Sequence, residues 1–210
     1  MRKTLLLAPL LAPLLAALAA CSQSEPEAPA AADPAAQPPA APDSAPLTPT
    51  PADPAAAVEA ARTASATLSP TEGHETRGTL QFEPVDGGIR VTGEITGLPG
   101  GSEHGFHVHE TGDCSAPDAT SAGGHFNPAS RAHGRVGQGE HHAGDSDNIT
   151  ATAAGIAVVD RRLEGATLGD GAATDIIGKG VIVHAKPDDY KTQPTGDAGD
   201  RLACGVIEGS

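Results

Sequence analysis

The chain has 210 residues, a formal net charge of −14, no tryptophan, one tyrosine and three phenylalanines. That length fits one domain with appendages. Such a charge repels nucleic acid, and so few aromatics cannot build a base-stacking platform, so no nucleic-acid partner is expected.

Residues 1–20, "MRKTLLLAPLLAPLLAALAA", have a basic start at Arg2 and Lys3, an apolar run, and small residues leading to Cys21. This is the pattern of a secretory signal peptide; the run is short for a membrane span, and Pro9 and Pro13 argue against one. The ending "LAAC" is similar to the lipobox of bacterial lipoproteins, in which the signal is removed and the cysteine becomes the lipidated first residue. That resemblance implies a lipid anchor at Cys21 and export to the periplasm. With Ser22 next, it also implies tethering to the outer membrane. A multiply acylated cysteine anchors stably where one acyl chain would not. Loss of Arg2 and Lys3 with the signal takes the net charge to −16.

Residues 21–58 are dominated, after the cysteine, by Ala, Pro, Ser, Asp and Glu. They have no apolar periodicity, cannot offset the entropy of ordering, and read as a disordered, proline-extended tether. The folded domain is therefore expected over 59–210.

From there the pattern changes to short apolar stretches between turn signals. "TASATLSP" reads as a first strand. "RGTLQFEPV", Asp-Gly and "IRVTGEITGL" read as a hairpin, because Asp-Gly between alternating runs favours a tight turn. "EHGFHVHE" alternates, "NITATAAGIAVVDRRLEG" holds two extended candidates, and "DIIGKGVIVHAK" and "RLACGVIEG" supply the last two. The one helical candidate is "PAAAVEAARTA", before the first strand. About eight strands at these spacings predict an all-β antiparallel sandwich or barrel. Two irregular stretches, 111–148 and 185–200, are too long for turns, and long loops in a compact β domain usually carry function.

Eight of the nine histidines fall between residues 104 and 184. On a strand, i and i+2 share a face, so "HVH" sets His107 and His109 side by side. The loop that follows brings His125, His133, His142 and Asp145, and His184 ends the apolar strand "VIVH". Six histidines and an aspartate exceed one tetrahedral site and suit two, or two sharing a ligand; imidazole is at home with copper and zinc. Three cysteines need places. If Cys21 takes lipid, Cys114 and Cys204 remain, a pair expected to form a disulfide in an oxidising compartment, with two thiolate metal ligands as the alternative.

The motifs "GFHVHE", "GDCSAPD", "SAGGHFNP", "HHAGD", "NIT", "DIIGKGVIVHAKPDDY" and "GDAGDRLACGVIE" together resemble the exported bacterial copper–zinc superoxide dismutases, from about residue 62 to the end and in family order. The resemblance implies an eight-stranded Greek-key β-sandwich or barrel of immunoglobulin-like architecture, with two long functional loops. It implies one copper and one zinc per subunit. It implies dismutation of two superoxide anions and two protons to hydrogen peroxide and oxygen, by alternating reduction and reoxidation of copper, in defence of the cell envelope. Carried over by position, His107, His109 and His184 match copper ligands, and His125 matches the imidazolate shared by copper and zinc. His133, His142 and Asp145 match zinc ligands; adjacent His141 is the less well spaced choice. Asp188 matches the aspartate linking a copper histidine to a zinc histidine. Arg201 matches the anion-holding arginine, with Lys186 and Lys191 as candidate helpers. Cys114 and Cys204 match the family disulfide. His104 is expected to be structural and His74 solvent-exposed. The rival reading is a non-catalytic periplasmic copper/zinc-binding protein, for which Arg201 and Asp188 would be superfluous. Whether the chain is a homodimer or a monomer is left open by the sequence.

Overall fold

The computed structural model describes residues 63–210. The signal peptide, Cys21 and the tether lie outside the described residues. So does most of the helical candidate, whose last residue, Ala64, opens a strand instead.

Ten strands follow: β1 (Ala64–Pro70), β2 (Arg77–Val85), β3 (Gly88–Thr96), β4 (Glu103–His104), β5 (Phe106–His109), β6 (Ile149–Thr150), β7 (Ala157–Glu164), β8 (Gly180–His184), β9 (Arg201–Val206) and β10 (Glu208–Gly209). The only helical element among the described residues is a 3₁₀ turn at Thr120–Ala122. In space the main sheet runs β5-β8-β9-β1-β2-β3-β7, with β10 added to β1, while β4 and β6 form a small separate ladder. All the ladders are antiparallel. The chain crosses from β3 to the far edge at β5, returns to β7 beside β3, and crosses again to β8 beside β5. These long crossings give the Greek-key order, and the one from β5 to β7 carries His125, His133, His142 and Asp145.

Local sequence explains the central strands. Asp86 and Gly87 make the two-residue link of the β2–β3 hairpin, with Gly87 at φ 76°, where a side chain would be strained. Leu80 and Phe82 on β2, Ile89, Val91 and Ile95 on β3, and Val159 and Leu163 on β7 point inward and are essentially fully buried, while their neighbours face water. Burying each such side chain contributes about 1.5–3 kcal/mol.

The β5–β8 pair uses both of its faces. Phe106 pairs with Val183 and Val108 with Val181, and all four join the main core. The alternate positions, His107, His109, Ile182 and His184, therefore project to the opposite face, where the long loop after β5 buries them. Main-chain bonds pin that loop to the β5 edge: Phe126 N donates to Val108 O at 2.8 Å, Val108 N to Gly144 O at 2.8 Å, and Glu110 N to Gly124 O at 2.9 Å. Under the loop lies a small second cluster of Ala119, Ala122, Ile182 and Cys204, against which Cys114 packs.

Cys114 and Cys204 are joined, with Cα atoms 5.7 Å apart and a sequence separation of 90 positions. The disulfide reading is the one realised, and the thiolate-ligand alternative falls. In the chain-entropy account, closing a loop of that length stabilises by about 4–5 kcal/mol. The double variant Cys114→Ser/Cys204→Ser is expected to lose about that much stability in urea unfolding, with a steeper denaturant slope, because the unfolded chain without the crosslink expands and exposes more surface.

Candidate metal centre

Strand geometry supplies three of the histidines, and loop pinning supplies the rest. His107 and His109 come from β5 and His184 from the end of β8, after a register shift between Val183 and His184. His125 is bridged to His109 through its backbone. Two groups result: His107, His109, His125 and His184, and His125, His133, His142 and Asp145, each with its ligand atoms within 4.8 Å of one another. All seven residues are buried, and His125 belongs to both groups.

The hydrogen bonds fix which nitrogen each ring offers. His109 Nδ1 donates to Gly123 O at 2.9 Å and His184 Nδ1 to Gly199 O at 3.2 Å. Each Nε2 is thereby left as a lone pair, and the two face each other at 3.3 Å with no proton to share. His107 Nε2 donates to Asp188 Oδ2 at 2.8 Å and His133 Nε2 to Asp188 Oδ1 at 2.9 Å. One carboxylate thus ties a ring of the first group to a ring of the second. Four buried nitrogens remain without a hydrogen-bond partner: His107 Nδ1, His125 Nε2, His133 Nδ1 and His142 Nδ1. Every one belongs to the two groups. Leaving a buried polar atom unpaired costs about 1–3 kcal/mol, so such a concentration is expected only where a ligand satisfies it. Four imidazoles converging on one point, and three imidazoles with a carboxylate on the other, fit two cations.

The charge balance of the protein groups agrees. Burial, then the neighbouring His107, pull His125 down to about 4, although Asp145 accepts from its Nδ1 at 2.8 Å. Burial also holds His109 and His184 well below the ordinary histidine range, with neighbouring imidazoles adding to it, so both stay neutral and able to ligate. For His133 burial is outweighed by the combined pull of Asp145 and Asp188, and its pKa rises to about 9. Its Nδ1 lies 3.0 Å from Asp145 Oδ2 without the alignment of a hydrogen bond. Burial would raise Asp145 and Asp188, but their histidine partners prevail and hold both carboxylates well below their usual range.

Of the adjacent pair, His142 stands in the second group, while His141 turns its Nδ1 to His142 O at 2.8 Å. His104 is buried and structural: its Nδ1 donates to His184 O at 2.7 Å, tying β4 to the end of β8. His74 is exposed. Arg201, half-buried at the start of β9, donates to Ala119 O and to Gly123 O at 2.5 and 2.6 Å. Gly123 O therefore serves both Arg201 and His109. Burial lowers the guanidinium pKa, Asp118 opposes that, and arginine stays charged.

Other residues hold the ligands in place without having been singled out by the sequence. Asn148 Nδ2 donates to Asp188 O at 3.0 Å, and its Oδ1 accepts from Asp188 N at 2.9 Å. Gln193 clamps His133 in the same two-way fashion, accepting from its N and donating to its O, both at 2.8 Å. Gly196, at φ 66°, passes so close that a Cβ would lie 1.8 Å from Asp188 Oδ1 and 2.8 Å from His133 Nε2. An Asn or Gln in a loop has many roles, and no local spacing marks these three.

Known proteins place this arrangement in a family. The family model described as copper/zinc superoxide dismutase matches residues 76–207. Superoxide dismutase [Cu-Zn] 2 of Aquifex aeolicus is 39% identical over 147 residues, 69% of this chain and 85% of that protein. Superoxide dismutase [Cu-Zn] 3 of Arabidopsis thaliana is 41% identical over 138 residues, 62% of this chain and 82% of that protein. Among solved structures, the clock protein EA4 aligns with a TM-score of 0.62 at 41% identity, over 70% of this chain and 94% of its own. A SOD-like protein from Bacillus subtilis aligns with a TM-score of 0.62 at 34% identity, over 68% and 96%. With a family match across the strands and both long loops, and two buried ligand groups sharing one histidine, the chain belongs to the copper/zinc superoxide dismutase family.

Proposed function

We propose that the protein dismutates superoxide, with copper held by His107, His109, His125 and His184, and zinc by His125, His133, His142 and Asp145. One observation carries this reading: unpaired imidazole nitrogens converge on two adjacent points, with His125 between them. Four imidazoles suit copper, and three with a carboxylate suit a closed zinc site. When bound, copper supplies one-electron exchange with superoxide, and zinc a fixed positive charge without redox chemistry.

The protein's own part is positioning and proton handling. His125 Nε2 is buried and unpaired, and it is the atom at which a proton can be held or released during turnover. His109 and His184 are locked by their carbonyl partners into one tautomer, and His107 and His133 by Asp188. Arg201 is fixed by two carbonyls and keeps other N–H groups for an anion. A metal buffer needs neither that arginine nor its anchoring through the Cys114 loop.

The proposed setting is the cell envelope: export by the signal over 1–20, lipidation of Cys21, and residues 21–58 as the tether. The disulfide supports an oxidising compartment. The physiological role proposed is protection of the envelope from superoxide.

The purified chain reconstituted with copper and zinc is expected to dismutate superoxide with one of each metal bound. His125→Ala and Arg201→Ala should each lose activity sharply, about tenfold or more for the arginine. Full metal content with no turnover would leave only the binding protein. Gly196→Ala should displace Asp188 and weaken zinc binding about 10–100-fold in a chelator competition, with the copper spectrum less affected. In cell fractionation, the parent chain should partition with membranes and Cys21→Ala with the soluble fraction. Equal partitioning would dispose of the anchor.

A further inference from the structure

The cleft at Arg201 is walled by three separate segments. Thr71 N donates to Leu202 O at 3.1 Å, and its Oγ1 donates to Arg201 O at 2.6 Å. Glu72 N donates to Pro117 O at 2.8 Å. The β1–β2 turn is therefore fastened to both the disulfide loop and the start of β9, and with them it encloses a cleft of about 450 Å³. Its lining is unusual for a protein that takes an anion. Besides Arg201 it presents three exposed carboxylates, Glu72, Asp118 and Asp200, and a histidine, His74, but no lysine. The nearby Lys186 lays its stem over Gly199 and turns its ammonium to Asp197 at 3.7 Å. Asp118 is held in place: its Oδ1 accepts from Thr120 N at 3.0 Å and from Thr120 Oγ1 at 2.8 Å.

Arg201 spends only two of its five N–H donors on carbonyls, so it remains an anion receptor lining this cleft. A bare receptor of that kind suits a dianion better than a monoanion, because attraction scales with ligand charge. The surrounding carboxylates reverse that preference, because repulsion scales the same way. We infer that Glu72, Asp118 and Asp200 form a charge collar that sets specificity, admitting a small monoanion to Arg201 while excluding oxyanions of charge −2. The collar offsets some of the rate that superoxide would otherwise gain, in exchange for freedom from inhibition by phosphate. This inference rests on the proposed role of Arg201 in holding superoxide.

The test uses the full chain loaded with copper and zinc, and the series Asp200→Asn, Asp200→Asn/Asp118→Asn, and both with Glu72→Gln. Asparagine at 118 retains an acceptor for Thr120, and metal content reports intact folding. The readouts are kcat/KM for superoxide, the inhibition constant of inorganic phosphate, and phosphate binding by calorimetry, all at about pH 8, above the ordinary histidine range. Each removed charge should raise kcat/KM and tighten phosphate binding in graded steps. The phosphate factor should be close to the square of the superoxide factor, about tenfold against about threefold for the triple variant. Phosphate tightening should vanish when Arg201→Gln is added. Equal factors for the two anions, no change in phosphate binding, or tightening that survives Arg201→Gln would each overturn the collar. Absence of turnover in the parent would count against the dismutase reading alone, since the calorimetric series still decides the collar.

Discussion

The centre is organised by buried lone pairs that no protein group can satisfy. His109 and His184 offer Nε2 atoms to each other at 3.3 Å with both Nδ1 protons committed to carbonyls, and four further imidazole nitrogens are unpaired. In a protein without metals this would be a plain energetic defect. In a member of the copper/zinc family it couples folding to metal, because ions that bind only the folded chain stabilise it by mass action.

The fold meets this need by dividing labour along the β5–β8 pair. Period-two alternation sends Phe106, Val108, Val181 and Val183 into the core, and His107, His109 and His184 to the other face. A strand face alone would leave the imidazoles in water. The loop after β5 encloses them, and because it is pinned to β5 by its own backbone, it also delivers His125 and Asp145 at fixed positions. The core thus fixes the spacing of some ligands and the loop fixes the others, with Asp188 holding the two sets together.

Much of this was legible in the sequence because it is written in short-range patterns. Alternation over β2, β3 and β7 and the Asp86-Gly87 link announce antiparallel strands, and "HVH" announces a shared face. What local patterns cannot carry is the choice between neighbours settled by distant contacts. His142 rather than His141 enters the ligand group because of how the loop backbone turns, and His141 instead bonds to a carbonyl next door. Asn148 and Gln193 matter because their amides clamp Asp188 and His133 from 40 and 60 residues away, and Gly196 because its lack of a Cβ leaves room for both. Helical reading of "PAAAVEAARTA" failed at its described end for a related reason: Ala64 pairs with Phe82 and Gly209, and sheet partners outweigh alanine's local preference.

The position of Arg201 shows how few independent elements remain once the loops are in place. Its guanidinium is held by Ala119 O and Gly123 O, and Gly123 O also fixes the tautomer of His109. The loop carrying both carbonyls is covalently tied at Cys114 to Cys204, three residues along β9 from Arg201 itself. The arginine, the disulfide and one ligand ring therefore form a closed circuit through a single loop. A change that loosens the loop moves the anion-holding group and a ligand together. The family's disulfide accordingly serves the site as much as the stability of the sheet, and the two roles cannot be separated by residue.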